Sequence, residues 1–240
     1  MKKIGFCLLA ISTIAFLSSC AQRSKEVPSD QLPMYGNLPR TTEQVKKDSD
    51  YTDGVVAQTG DKKKAVESIL KEAWDYQDKG YLELAMVRFN QAWLMDPQEA
   101  DVYYGFGLVL TQRGKTDEAL KMYIQRLSLN PSHAMMLCRI ARLYQNKSVE
   151  IIQKKGEQEG AFEAKSYMDQ ALASYEKASQ STEVQKDLSY IYYQWAVCLA
   201  VTKDYKGAWD KVHLSQKYGG EFIEKGFVKS LSQDMPEPNP

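Results

Sequence analysis

Histidine is almost missing from this chain: His133 and His213 are the two it has in 240 residues. A metal site built on several histidines is thereby excluded, and a serine or cysteine nucleophile activated by imidazole would have to use one of these two. Each has an ordinary reading, His133 in a turn after Asn130-Pro131-Ser132 and His213 beside Val212 and Leu214 at a core edge. Cysteine is scarce, with four residues, so no dense disulfide framework holds the fold. An excess of one charge is absent, since Lys plus Arg and Asp plus Glu both number 31. That balance speaks against a nucleic-acid partner, which selects a basic surface. No apolar run reaches the ~20 residues of a spanning helix. Catalytic signatures are missing too: there is no G-x-S-x-G, H-E-x-x-H or P-loop. Gly105-Phe106-Gly107 falls inside a helical pattern rather than after a strand, and Lys62-Lys63-Lys64 lacks the glycine spacing that cradles phosphate. Carboxylate pairs such as Asp117-Glu118 and Glu157/Glu159 read as solvated surface. The expectation is a chain with no enzymatic activity, no cofactor and no metal.

What is present begins with an asymmetric start. Lys2 and Lys3 precede an apolar run, Ile4 to Phe16, broken by Gly5, Ser12 and Thr13. Leu17-Ser18-Ser19-Cys20 follows. Basic, apolar and small residues in that order make a secretory signal, expected over residues 1–19. The last four residues resemble the lipobox of bacterial lipoproteins. The resemblance implies that Cys20 takes a diacylglycerol and becomes the N-terminus, with further palmitate-like acylation. A single acyl chain binds a bilayer marginally, whereas two or three hold firmly. Ala21 follows the cysteine in place of an inner-membrane-retaining aspartate. For a Gram-negative source this places the protein on the outer membrane, facing the periplasm. Loss of Lys2 and Lys3 would leave a mature charge of about −2.

Residues 20–62 carry Pro28, Pro33, Pro39, Gly36, Gly54 and Gly60 without sustained periodicity, and read as a lipid-anchored flexible tether. Forty such residues span roughly 35 Å. Within them Leu32-Pro33-Met34-Tyr35-Gly36 is either a turn in that tether or a segment that packs on the body or a partner.

The remainder repeats itself with a period of 34. Ala73, Tyr76, Gly80, Ala85, Phe89, Ala92 and Pro97 recur as Gly107, Leu110, Gly114, Ala119, Tyr123, Arg126 and Pro131. Ile69, Ala73 and Tyr76 lie on one face of a helix, as do Ala85, Phe89 and Ala92 on the next. The glycines suit the turn between helices and the prolines the end of the second helix. This pattern resembles the tetratricopeptide repeat, with Ile69 and Tyr103 where that family prefers tryptophan. Arg126 replaces a usual alanine and suggests looser packing there. A third unit starts at Leu137, Ile140, Ala141 and Tyr144 and resumes at Ala171, Tyr175 and Ala178, about 18 residues late. Either both helices are extended, turning near Gly156 and Gly160 and protruding roughly 13 Å, or the insertion is a loop. A fourth unit runs from Tyr192, Trp195, Ala196 and Leu199 to Tyr205, Ala208 and Val212, and Gly219-Gly220 closes it. Phe222 to Leu231 form a capping helix. The fold expected is an all-α tetratricopeptide superhelix of about four helix pairs over residues 63–232, the third pair extended, with a disordered tail at 233–240. Cys138 and Cys198 are read as isolated thiols, a disulfide between them being the alternative.

In the tetratricopeptide family the first helices of successive pairs line a groove that binds peptides. By that resemblance the groove residues here are Leu70, Trp74, Tyr104, Leu108, Arg139, Arg142, Tyr193 and Val197, with Cys138 among them and Gln77, Thr111 and Gln145 one turn further. The face is aromatic and apolar, the residue type that dominates binding energies. The lysine and asparagine set of the family's carboxylate-clamp variant is missing, which points to an apolar or amphipathic segment rather than an acidic tail. Alternatively the face is filled internally, by the tether or the last helix. The function implied is a membrane-anchored, non-enzymatic protein–protein interaction scaffold of the bacterial envelope, in the manner of pilotins, barrel-assembly lipoproteins or hydrolase adaptors. Its partners would be an envelope protein or peptide segment, and the membrane through Cys20. The alternative is a periplasmic holdase or carrier for unfolded outer-membrane clients.

Overall fold

A computed structural model describes residues 27–238; the expected signal segment and Cys20 lie outside them. Two short 3-10 turns, Ser29–Gln31 and Pro33–Asn37, precede α1 (Thr42–Thr59), α2 (Lys62–Asp78), α3 (Leu82–Met95), α4 (Ala100–Gln112) and α5 (Thr116–Leu129). They are followed by α6 (Ala134–Gln180), α7 (Gln185–Val201), α8 (Tyr205–Lys217) and α9 (Lys225–Asp234). The described residues form an all-α tetratricopeptide superhelix: α2/α3, α4/α5, the two limbs of α6 and α7/α8 are four hairpins stacked in chain order.

Local chemistry sets the boundaries. The Asp61 carboxylate accepts from the Lys64 N–H at 3.0 Å and starts α2. Gly80 ends it in the left-handed region, φ 78°, and the Tyr81 N–H reaches back to the Tyr76 carbonyl at 2.9 Å. Gly114, φ 72°, and the Lys115 N–H to the Leu110 carbonyl repeat that geometry after α4. After α7 the same position is Lys203, φ 63°, with the Asp204 N–H on the Leu199 carbonyl. A lysine thus occupies a conformation that costs a residue with a Cβ roughly 1–2 kcal/mol.

Small residues let the helices close on aromatic rings. Ala73, Ala85, Ala92 and Phe89 are fully buried in the first pair, and Ala119 and Tyr123 in the second. Burial of each large side chain contributes ~1.5–3 kcal/mol. A Cβ on Gly105 would stand 2.2 Å from the Phe89 ring, and one on Gly107 2.2 Å from the Tyr123 ring. The G-x-G of the sequence is therefore a packing device, one glycine for each ring.

The third pair is helical throughout. α6 spans 47 residues against 13 to 17 for the helices of the other pairs, and reverses at Gly156, φ 76° and ψ 167°. Its limbs run antiparallel, with Ser148 Oγ donating to the Ala164 carbonyl at 2.7 Å. Gly160 is not part of the reversal. It lies inside the second limb, where a Cβ would sit 3.2 Å from Ile151, and so permits the close approach.

Residues 27–60 depart from the expected flexible tether. Thr41 and Gln44 form a reciprocal capping box that opens α1. Before it, Met34, Tyr35, Gly36 and Asn37 take four consecutive left-handed conformations. What holds them is the burial of Tyr35. Its ring is 3 % exposed, its N–H donates to Asn90 Oδ1 and its hydroxyl to Asp48 Oδ2 at 2.7 Å. Asp48 also accepts from Gln91 Nε2 and Arg40 Nη1, and Asn90 Nδ2 donates to the Asp30 and Leu32 carbonyls. Burial and the adjacent carboxylate hold the Tyr35 phenol far above its ordinary pKa, so it stays a donor. The segment Leu32 to Gly36 therefore packs on the body, as a strap across α1 and α3. At the other end, residues 235–238 differ from the expected loose tail. Trp209 Nε1 donates to the Met235 carbonyl at 3.0 Å, and His213 Nε2 lies 2.9 Å from Glu237 Oε1.

Candidate partner-binding cleft

Three of the expected groove residues meet where α2 and α4 run side by side. Trp74 on α2 stands edge-on to the buried Phe89 at 4.8 Å, which fixes its plane. Tyr104 on α4 lies 5.6 Å from Trp74 and 6.1 Å from Tyr123. Leu108 follows one turn on. Arg139, on the first limb of α6, places its guanidinium 5.4 Å from the Tyr104 ring centre, a cation–π contact. Together with Gln77, Met135 and Met136 these side chains line a cleft of about 520 Å³.

The other expected residues lie elsewhere. Leu70 is 8 % exposed and belongs to the apolar core that α1 to α4 share. Cys138 is buried between the limbs of α6 rather than facing the cleft. Arg142 is exposed and donates to the Tyr190 hydroxyl at 2.9 Å. Tyr193 is buried beneath Phe227 of α9, ring to ring at 5.7 Å. Val197 is half-buried on α7 and is not among the cleft residues. Internal filling is thus divided: α9 covers the fourth pair, while the strap docks on α1 and α3, and Trp74 and Tyr104 line a cleft that none of the described residues fills.

Sequence reasoning missed the polar floor. Arg126, in the last turn of α5, is 6 % exposed and lines the cleft, with Nη2 3.8 Å from Asp101 Oδ1. His133 caps α6, its Nδ1 accepting from the Met136 N–H at 3.2 Å. Burial first, and then the Arg126 charge, hold its pKa below 6.5, so it is neutral at pH 7. The one sequence signal was Arg126 itself, a cation where the period calls for a small residue.

The described residues hold no group of three or more His, Cys, Asp or Glu side chains that could bind a metal ion, and no helix long and apolar enough to cross a membrane. Cys138 and Cys198 are free thiols, both pushed up to about 12 chiefly by burial.

No protein-family model matches the chain, and no curated protein matches it significantly. Among solved structures it is similar to a thermophilic TPR protein of Thermus thermophilus, with TM-score 0.56 and 15% identity, over 72% of this chain and 84% of that one. It is also similar to MamA, with TM-score 0.50 and 16% identity, over 75% of this chain and 96% of that one. At these identities the likeness is one of fold.

Proposed function

We propose that this protein is a non-enzymatic interaction scaffold of the bacterial envelope, anchored by lipid on Cys20, that holds an apolar or amphipathic segment of a partner protein in the cleft of Trp74, Tyr104 and Leu108. The observation that carries the reading is the aromatic cleft that the described residues leave unfilled, with rings fixed by Phe89 and Tyr123 behind them. Preordered aromatic anchors lose little entropy on binding and dominate interface energies. The lipobox-like Leu17-Ser18-Ser19-Cys20 supports the envelope and outer-membrane placement. The strap docks on α1 and α3, and none of its residues lines the cleft.

Crosslinking in the native cell, followed by recovery of the partner, tests the reading. A single partner at fixed stoichiometry, lost in Trp74→Ala/Tyr104→Ala, is expected. Undiminished recovery by that double variant would sink it, and broad, weak suppression of client aggregation would replace it with the carrier reading. Cys20→Ser should move the protein out of the membrane fraction; retention there would refute the lipid anchor.

A further inference from the structure

The repeat register exposes an anomaly at the cleft. Ala92, Arg126, Ala178 and Ser215 occupy equivalent places on the second helices of the four pairs. Ala92, Ala178 and Ser215 are fully buried, so packing there asks for a small residue. The second pair instead buries a guanidinium. Its Nε and Nη1 are shut off from solvent and find no hydrogen-bond partner among the described residues. Asp101 stands 3.8 Å from Nη2, beyond hydrogen-bonding distance and half-exposed. A buried charge without acceptors is costly, and departures of this kind from a local rule concentrate at functional sites.

Charge complementarity indicates what would satisfy it. Arg126 and Arg139 bring two positive charges to the cleft against the one negative charge of Asp101, with His133 neutral. The surplus matches a singly charged anion. Aromatic and methionine walls surround it, so the anion would arrive on an apolar carrier. We propose that the cleft binds its apolar partner segment through a carboxylate held by Arg126. The guanidinium turns outward about its long side chain to meet that carboxylate, and so exchanges an unsatisfied burial for charge-assisted hydrogen bonds. This deepens the cleft reading and rests on it. It differs from a lysine–asparagine clamp on the inner helices, since the grip comes from the outer helix of the second pair. The carboxylate comes either from an acidic side chain or from a chain end.

Three fluorescently labelled peptides separate the cases by anisotropy. One is leucine- and phenylalanine-rich with a central glutamate and an amidated end. The second has glutamine for glutamate, and the third is that glutamine peptide with a free C-terminal carboxylate. The native protein should bind one or both carboxylate peptides about ten- to a hundredfold more tightly than the neutral one. The glutamate or the free-acid arm identifies the source. Arg126→Ala places in the second pair the residue that the first and third already carry, so it should fold with an unchanged or raised melting temperature. It should lose the carboxylate preference and bind the three peptides alike. Equal binding of all three peptides, or a preference that survives in Arg126→Ala, overturns the carboxylate proposal and leaves the cleft reading intact. Binding of none overturns both.

Discussion

Gly107 offers a direct test of how the second hairpin closes. Alanine there would gain about 1 kcal/mol of helix propensity over glycine. Against this, its Cβ would stand 2.2, 2.6 and 2.7 Å from three ring carbons of Tyr123. The ring is fully buried, and its hydroxyl lies 3.1 Å from Thr111 Oγ1, so it has nowhere to retreat. Overpacking costs about 1–3 kcal/mol, and contacts this short belong at the upper end. The expected net loss is about 2 kcal/mol, or a fall of about 4–8 °C in melting temperature for a chain of this size. Thermal unfolding followed by far-UV circular dichroism reads it. Two controls isolate the cause. Gly54→Ala, in α1 with nothing within 4 Å of the added Cβ, should stabilise by about 1 kcal/mol. In a Tyr123→Leu background, where the ring is gone, Gly107→Ala should become neutral or favourable. A Gly107→Ala variant as stable as the native protein, or a cost undiminished without the ring, would refute the reasoning.

Lys203→Gly should raise stability by about 1 kcal/mol in the same melt, because it relieves the left-handed conformation that Gly80 and Gly114 fill in the earlier pairs. Asp48→Ala should cost about 3 kcal/mol, since it strands the buried Tyr35 hydroxyl and Gln91 amide and the Arg40 charge; hydrogen exchange should show the strap at residues 29–40 released first. Ellman's reagent at pH 8 should leave Cys138 and Cys198 unmodified until the protein unfolds, given thiols pushed up to about 12. His133 has a lower pKa folded than unfolded, so the unfolded chain takes up its proton first. Its stabilising contribution is complete above about pH 6.5 and is lost as pH falls below that, and His133→Gln should flatten this part of the stability–pH curve.

The repeat was legible because its physics is local and periodic. Ala73, Phe89 and Ala92 recur at helical spacing, and glycine marks the turn, so the stacked hairpins follow from residue order, whereas the insertion of the third unit, which the sequence left open to a loop, is helical in α6. α1 was hidden because it buries little apolar surface, with Asp48 and Val55 as its two buried positions. A helix held by a carboxylate accepting from distant donors leaves no periodic trace. The cleft was half legible: Trp74, Tyr104 and Leu108 share one face in sequence with Arg139 as a nearby cation, and all four line the cleft, whereas Leu70 and Tyr193 sit on that same face but are buried under other elements. Whether a helical position is covered depends on what packs above it, and α9 covers the fourth pair through Phe227.

The sequence by itself determined the helical periodicity, the pairing of consecutive helices and the turn glycines Gly80 and Gly114, because each depends on residues close to one another in the chain. Tertiary structure alone decided that the segment around Tyr35 is a strap and that Arg126 is a buried cation without acceptors beneath an aromatic cleft. Both facts concern how polar groups far apart in the chain are satisfied or left unsatisfied, and that is settled when distant helices exclude the water between them.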